Sequence, residues 1–255
     1  MKQYIFLSLM AVSCLAAKKQ DLPKEEPKAV EQTSIKQKEV GPCGDSMQLI
    51  EGEYCPDLTE RCIDQQENRC LEFANPSTCN VKTRTMHFCM DTYEYPNKKG
   101  EKPKIFTTWL EANATCKAEG KRLCKQDEWS QACRGTSNKP YPYGYKRDAT
   151  KCNIDLEWTK PNEAALANPN TRQKELERLD KFVPSGSMDC VSDYGVYDLT
   201  GNADEWVVGP SSHPSNLMGG HPFKVINRCN NAVTDGHGET FAYYVTSFRC
   251  CKDLK

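Results

Sequence analysis

Apolar positions recur at helical spacing most clearly in residues 107–135. In "TTWLEANATCKAEG", Trp109, Ala112 and Cys116 fall on one face at i, i+3 and i+7. Thr108 and Glu111 stand in capping-box spacing and Gly120 supplies a stop, so one helix is expected there. After "KRLC", the stretch "KQDEWSQACRG" places Trp129 and Cys133 one turn apart, and Gly135 ends a second helix. Both helices turn a tryptophan and a cysteine inward. Elsewhere the pattern is weaker. Residues 43–89 show little periodicity and read as a loop-rich entry segment. Residues 157–182 are polar, with a short helical pattern at 172–179, and read as a surface excursion. Beyond them, "PSGSMDCVSDYGVYDLTGNADEWV" is dense in Gly, Tyr and Asp and predicts tightly packed loops and short strands.

The first 42 residues follow other rules. Lys2, the apolar run from Tyr4 to Val12 and the small residues after it predict a signal peptide over 1–17. Ala11-Val12-Ser13-Cys14 resembles a lipobox, which would make Cys14 a lipidated first residue. Cleavage after Ala16 or Ala17, which would discard Cys14, is the other reading. Residues 18–42 hold no aromatic residue and are rich in Lys, Glu, Gln and Pro. Such a segment buries too little apolar surface to fold. It is expected to be a disordered tether with a reach of roughly 25–30 Å. The folded domain is then 43–255, and no stretch is long enough to span a bilayer as a helix.

Composition changes the picture through cysteine. The chain has 255 residues, 15 of them Cys and only four His. Paired CxxC units, the usual zinc signature, are lacking, and the wide, irregular spacings suit an exported protein with disulfides. Without Cys14, 14 cysteines remain, enough for seven bridges. The formal net charge of −1 gives no electrostatic case for nucleic acid or anionic lipid as a partner. Membrane attachment would come only through a lipid anchor.

Eight motifs occur in an informative order: "FCMDTYEYPN", "GKRLCKQDEW", "ACRG", "YPYG", "CNI", "YGVYDLTGNADEWV", "GG" and "FRCC". In order and spacing they resemble the formylglycine-generating enzymes, also called sulfatase-modifying factors, over about residues 45–251. The resemblance implies an α+β, C-type-lectin-like fold, loop-rich and stapled by disulfides. It implies that active members hold copper(I) on two cysteines, a soft-ligand pair suited to that ion. Both would lie between the "GG" motif and a later structural "RC". Here that interval is "GGHPFKVINRC", with no cysteine before Cys229. Cys229 follows Arg228 and precedes Cys250 by the family's interval, so it matches the structural position. Copper is therefore not expected.

The same resemblance implies the pairs Cys133–Cys229 and Cys116–Cys250. Cys152 and Cys190 flank the excursion and are expected to close it. Cys124 and Cys251 neighbour the two core pairs and are expected to form a third clasp. The six cysteines from Cys43 to Cys89 can be joined in 15 ways, and nothing in the sequence selects one. Calcium is the metal the family implies, at two structural sites. The first would use Asn153, Ile154, Asp180 and Phe182; the second Gly201, Asn202, Ala203 and Glu205. Hard oxygen donors suit that ion. At the second set, a hydrogen-bonded turn is the competing reading. Asp204 stands where the family has a large apolar residue, and would either add a ligand or face water.

Three functions remain open. The first is a non-catalytic binding or structural module of the cell envelope, with an envelope protein, peptide or glycan as partner. It would sit on the periplasmic or surface face of a bacterial membrane. The second is an oxygen-dependent oxidoreductase of the formylglycine-generating type. The third is a relative with changed chemistry, for which His221, Asp235 and His237 are the candidate catalytic residues.

Overall fold

A computed structural model describes residues 41–210, 214–233 and 237–254. Twelve strands and four helices follow in order: β1 (Met47–Tyr54), β2 (Leu58–Thr59), β3 (Cys62–Gln66), β4 (Arg69–Phe73), β5 (Thr78–Cys79), β6 (Arg84–Asp91), α1 (Trp109–Ala118), β7 (Arg122–Leu123), α2 (Gln126–Arg134), α3 (Glu163–Ala167), α4 (Pro169–Leu179), β8 (Asp204–Val208), β9 (Ser215–Met218), β10 (Ala232–Val233), β11 (Thr246–Phe248) and β12 (Cys250–Asp253). Two four-stranded sheets carry the core, in orders β1-β6-β12-β7 and β10-β9-β8-β11. The class is α+β, as the sequence reading expects.

The entry segment corrects that reading. Residues 43–89 are not mainly loop: β1 and β6 are eight-residue strands paired antiparallel from Met47↔Asp91 to Tyr54↔Arg84. They form an edge half of the first sheet, with Ile50, Phe88 and Met90 in its core. Alternation is blurred in β1 because Gly52 and the polar residues around it leave few apolar positions to mark a face. Between β1 and β6 lie two smaller two-stranded sheets, the β3–β4 hairpin and the pair β2 with β5 that brackets it.

The helices form where the pattern places them. In α1 the Thr108 hydroxyl accepts from the Glu111 backbone N–H at 3.1 Å. The Glu111 carboxylate accepts in return from the Thr108 N–H at 2.9 Å, which closes the capping box. In α2 the Glu128 carboxylate accepts from the Lys125 N–H. That helix stops at Gly135, whose φ is +65°; a Cβ there would lie 2.2 Å from the Asp193 Oδ2. Only glycine fits both constraints. Trp129, Ala132 and Cys133 of α2 are fully buried against β1, β6 and β8.

Seven disulfides staple this frame: Cys43–Cys89, Cys55–Cys79, Cys62–Cys70, Cys116–Cys250, Cys124–Cys251, Cys133–Cys229 and Cys152–Cys190. The last four are the pairs stated above. Neighbouring Cys250 and Cys251 serve opposite faces of β12, since successive strand residues point to opposite sides. Cys250 joins α1 within the cluster of Leu123, Trp206 and Phe248. Cys251 joins Cys124 within the cluster of Ile50, Trp129 and Met90.

Candidate functional site

Strand β8 lies inside the second sheet, between β9 and the parallel β11. Its first residue, Asp204, opens onto a cavity of about 330 Å³ that also receives His221 and His237. Leu217, Val225 and Ile226 supply apolar wall. Asp204 is 7% exposed, so the reading in which it faces water does not hold. Burial pushes its carboxyl up to about 7, with the neighbouring Glu205 charge adding to the shift; the Gly220 backbone N–H opposes it. Burial likewise pushes the His221 imidazole down to about 4. The Nδ1 atoms of His221 and His237 are buried without a partner, and their rings lie edge-on to Phe223 and Phe241. A carboxyl that titrates near neutrality and an imidazole held neutral can exchange a proton with a bound ligand. Among the described residues, no three His, Cys, Asp or Glu side chains come together to hold a metal ion. Asp235, Cys14 and His213 lie outside the described residues.

Beneath the cavity the charge is confined. Arg249 and Glu205, each with a side chain 1% exposed, form a bidentate pair at 2.6 Å for both contacts. Trp129 Nε1 donates to the same carboxylate at 2.9 Å. Glu94 and Asp198 are buried beside this pair. Burial, then the charges of Asp198 and Glu205, push the Glu94 carboxyl well above its usual range. Burial carries Asp198 to about 6. One guanidinium thus faces three carboxylates, and Glu94 Oε1 has no partner.

The residues expected to hold calcium converge on the same region. Asn153 Nδ2 donates to the Lys181 carbonyl and to Asn202 Oδ1, both at 2.9 Å. That contact joins the Asn153–Ile154 pair to the Asp180–Phe182 segment, and the first set to the second. Gly201, at φ +77°, permits this approach, because a Cβ would lie 2.4 Å from the Asn153 carbonyl oxygen. Asp180 accepts from Lys102 Nζ at 2.5 Å and from the Phe182 N–H at 3.1 Å. Asn202 Oδ1 also accepts from the Val183 N–H, 19 residues away, so it ties two segments together rather than closing a local turn. Ala203 is buried against Phe182 and Phe223. Glu205 does not fit a calcium ion directly, since Arg249 and Trp129 already occupy its two oxygens. Asp180 is doubly engaged as well, by Lys102 and the Phe182 N–H, but its side chain is 34% exposed, so a calcium ion would be held there only by displacing Lys102.

The family model described as "Sulfatase-modifying factor enzyme 1-like domain" matches residues 46–254, nearly all of the described chain. The chain belongs to the sulfatase-modifying factor family. Among curated relatives, "Inactive C-alpha-formylglycine-generating enzyme 2" of Bos taurus is 31% identical over 110 residues, 43% of this chain and 33% of that protein. "Formylglycine-generating enzyme" of Bos taurus is 31% identical over 108 residues, 41% of this chain and 26% of that protein. The match spans a third or less of each relative. Two solved structures share the fold. CarF superposes with TM-score 0.52 at 14% identity, covering 83% of this chain and 98% of that one. Treponema denticola variable protein 1 gives 0.50 at 12%, covering 80% and 99%.

Within this sulfatase-modifying factor domain, the "GGHPFKVINRC" interval lines the Asp204 cavity through Gly220, His221, Lys224, Val225 and Ile226. It closes at Cys229, bonded to Cys133 of α2. All fourteen cysteines from Cys43 to Cys251 are in disulfides. Sequence reasoning placed His221 and His237 near this interval. It left Asp204 open between a ligand and a residue facing water, and did not foresee its burial in the cavity wall. It missed Glu94 and Asp198 entirely.

Proposed function

We propose that this domain is a non-catalytic member of its family, which lacks the thiol pair that would hold copper(I) and serves as a binding or structural module outside the cytoplasm. The observation that carries the reading is the Cys133–Cys229 bond, together with the pairing of every other described cysteine. A disulfide sulfur is not a thiolate and cannot serve as a copper(I) ligand. Seven disulfides also suit an oxidising compartment. The signal-peptide pattern over 1–17 and the tether over 18–42 support export and a place on the cell envelope, with Cys14 as the lipid anchor. One relative bears the name "inactive", so loss of activity has a precedent within the family. No helix among the described residues is long and apolar enough to cross a membrane. The partner classes proposed are an envelope protein, a peptide or a glycan, and calcium is proposed as a structural ion at the Asn153–Asp180 seam.

Copper(I) titration against a competing chelator, with oxygen and a cysteine peptide present, tests this reading. No stoichiometric copper and no conversion of the cysteine are expected. Tight binding of one copper ion with turnover would overturn it. The Asp204–His221–His237 cavity favours one second reading, a relative with changed proton-transfer chemistry.

A further inference from the structure

A second cavity, of about 160 Å³, lies under the Cys62–Cys70 hairpin and shares Asn68 and Ile226 with the Asp204 cavity. Three distant parts of the chain send a guanidinium to it. Arg69 comes from β4, Arg147 from the loop after "YPYG", and Arg228 from the residue before Cys229. Asp155 lies between the first two, accepting from Arg69 Nη1 at 2.6 Å and from Arg147 Nε at 2.9 Å. Arg147 is otherwise engaged by Asn227 and the Val225 carbonyl. Glu60, with a side chain 3% exposed, meets Arg228 at 3.2 Å.

Three polar atoms in this wall stay buried and unpartnered: Arg69 Nε, Arg228 Nε and Glu60 Oε1. The Arg69 side chain is only 6% exposed. Buried donors and acceptors are nearly always satisfied, so three in one cavity call for an occupant. The volume is about five times the share of a single water, about 30 Å³. Charge narrows the choice. Three guanidiniums are set against Glu60, Asp155 and, 3.7 Å from Arg69, the exposed Glu67, so the wall carries at most one positive charge and does not suit a doubly charged phosphate. Phe73 and Tyr141, edge to face at 5.9 Å, give one apolar wall.

We propose that this cavity binds the carboxylate of a small organic acid that carries a hydrogen-bond donor beside it, as an α-amino acid, an α-hydroxy acid or a peptide's C-terminal residue does. The carboxylate takes the free N–H groups of Arg69 and Arg228, since guanidinium and carboxylate match in plane and charge. The adjacent donor meets Glu60 Oε1. The proposal stands on this cavity, whose wall includes the Cys62–Cys70 bridge, and does not rest on the loss of a copper-binding pair.

Calorimetric titration of the full chain tests it with L-alanine, L-lactate, acetyl-Ala-Ala-Ala with a free C-terminus, and the same peptide amidated. Saturable binding is expected from at least one free acid and none from the amide. Whether the small acids or the peptide acid bind identifies the source of the group. Arg69→Gln and Arg228→Gln should each weaken binding by tenfold or more. Arg228 is partly exposed and outside the Asp155 network, and the glutamine amide introduced there can still donate to the buried Glu60, so Arg228→Gln is the milder variant if Arg69→Gln unfolds the domain. Equal binding of acid and amide, no binding of any acid at millimolar concentration, or unchanged binding by Arg228→Gln would each overturn the proposal.

Discussion

Replacing Cys133 and Cys229 together by alanine removes the bridge between α2 and the segment that ends the "GG" interval. A disulfide stabilises mainly by restricting the unfolded chain, and the restriction grows with loop length. Taken alone, the separation of 96 residues would correspond to about 4.7 kcal/mol. This bridge is not alone, however. It is nested inside Cys124–Cys251, whose separation is 127. With the outer bridge intact, the inner one closes only the 31 residues by which the two separations differ. The same relation then gives about 3.7 kcal/mol. Loss of two fully buried sulfur atoms adds to that. For a domain of this size the melting temperature should fall by about 10 °C. Urea unfolding without reductant, followed by intrinsic fluorescence of the four tryptophans, reads the change directly, and Trp129 lies one turn from Cys133. A loss below about 1 kcal/mol would refute the chain-entropy reasoning and with it the structural role given to Cys229.

The remaining predictions concern charge and ions. Arg249→Met strands Glu205 in the core and should cost about 3–5 kcal/mol in urea unfolding; Arg249→Met with Glu205→Leu should recover part of that loss. The His221 imidazole should titrate near 4 by NMR, below its ordinary value of 6.5. Its folded pKa is lowered, so the unfolded chain takes the proton first, and stability falls as pH drops from 6.5 towards 4. Asp204, Lys224 and His237 line the same cavity, so the slope attributable to His221 is the part that His221→Phe abolishes. A midpoint at 6.5 would mean the ring is solvated. Calcium should raise the melting temperature and EDTA lower it, with Asp180→Ala abolishing the difference; equal melting in both buffers would remove calcium from the account.

Much of this was legible in the chain because the signals are local. The capping box of α1, the Gly135 stop and the paired Trp and Cys of each helix depend on residues within two turns. The long bridges are different. Cys116 and Cys250 are 134 residues apart, and only the order of the eight motifs related them. Strands β1 and β6 escaped notice because their apolar residues mark a face only once the two are set in register, with Ile50 opposite Phe88. Asp204 was placed by its chain neighbours, but its burial depends on β9, β11 and the Gly219–Gly220 turn. The guanidiniums of Arg69, Arg147 and Arg228 meet through tertiary folding alone, and no spacing in the sequence announces them.

Intact mass of the protein from Lys18 onward, exported through an oxidising compartment and alkylated without reduction, tests the central claim most directly. No added alkyl group is the predicted result, with all 14 cysteines paired and none free for copper. Two added groups would contradict it, most pointedly if they mapped to Cys133 and Cys229, since a thiol pair beside the "GG" interval would return oxidative chemistry to the domain.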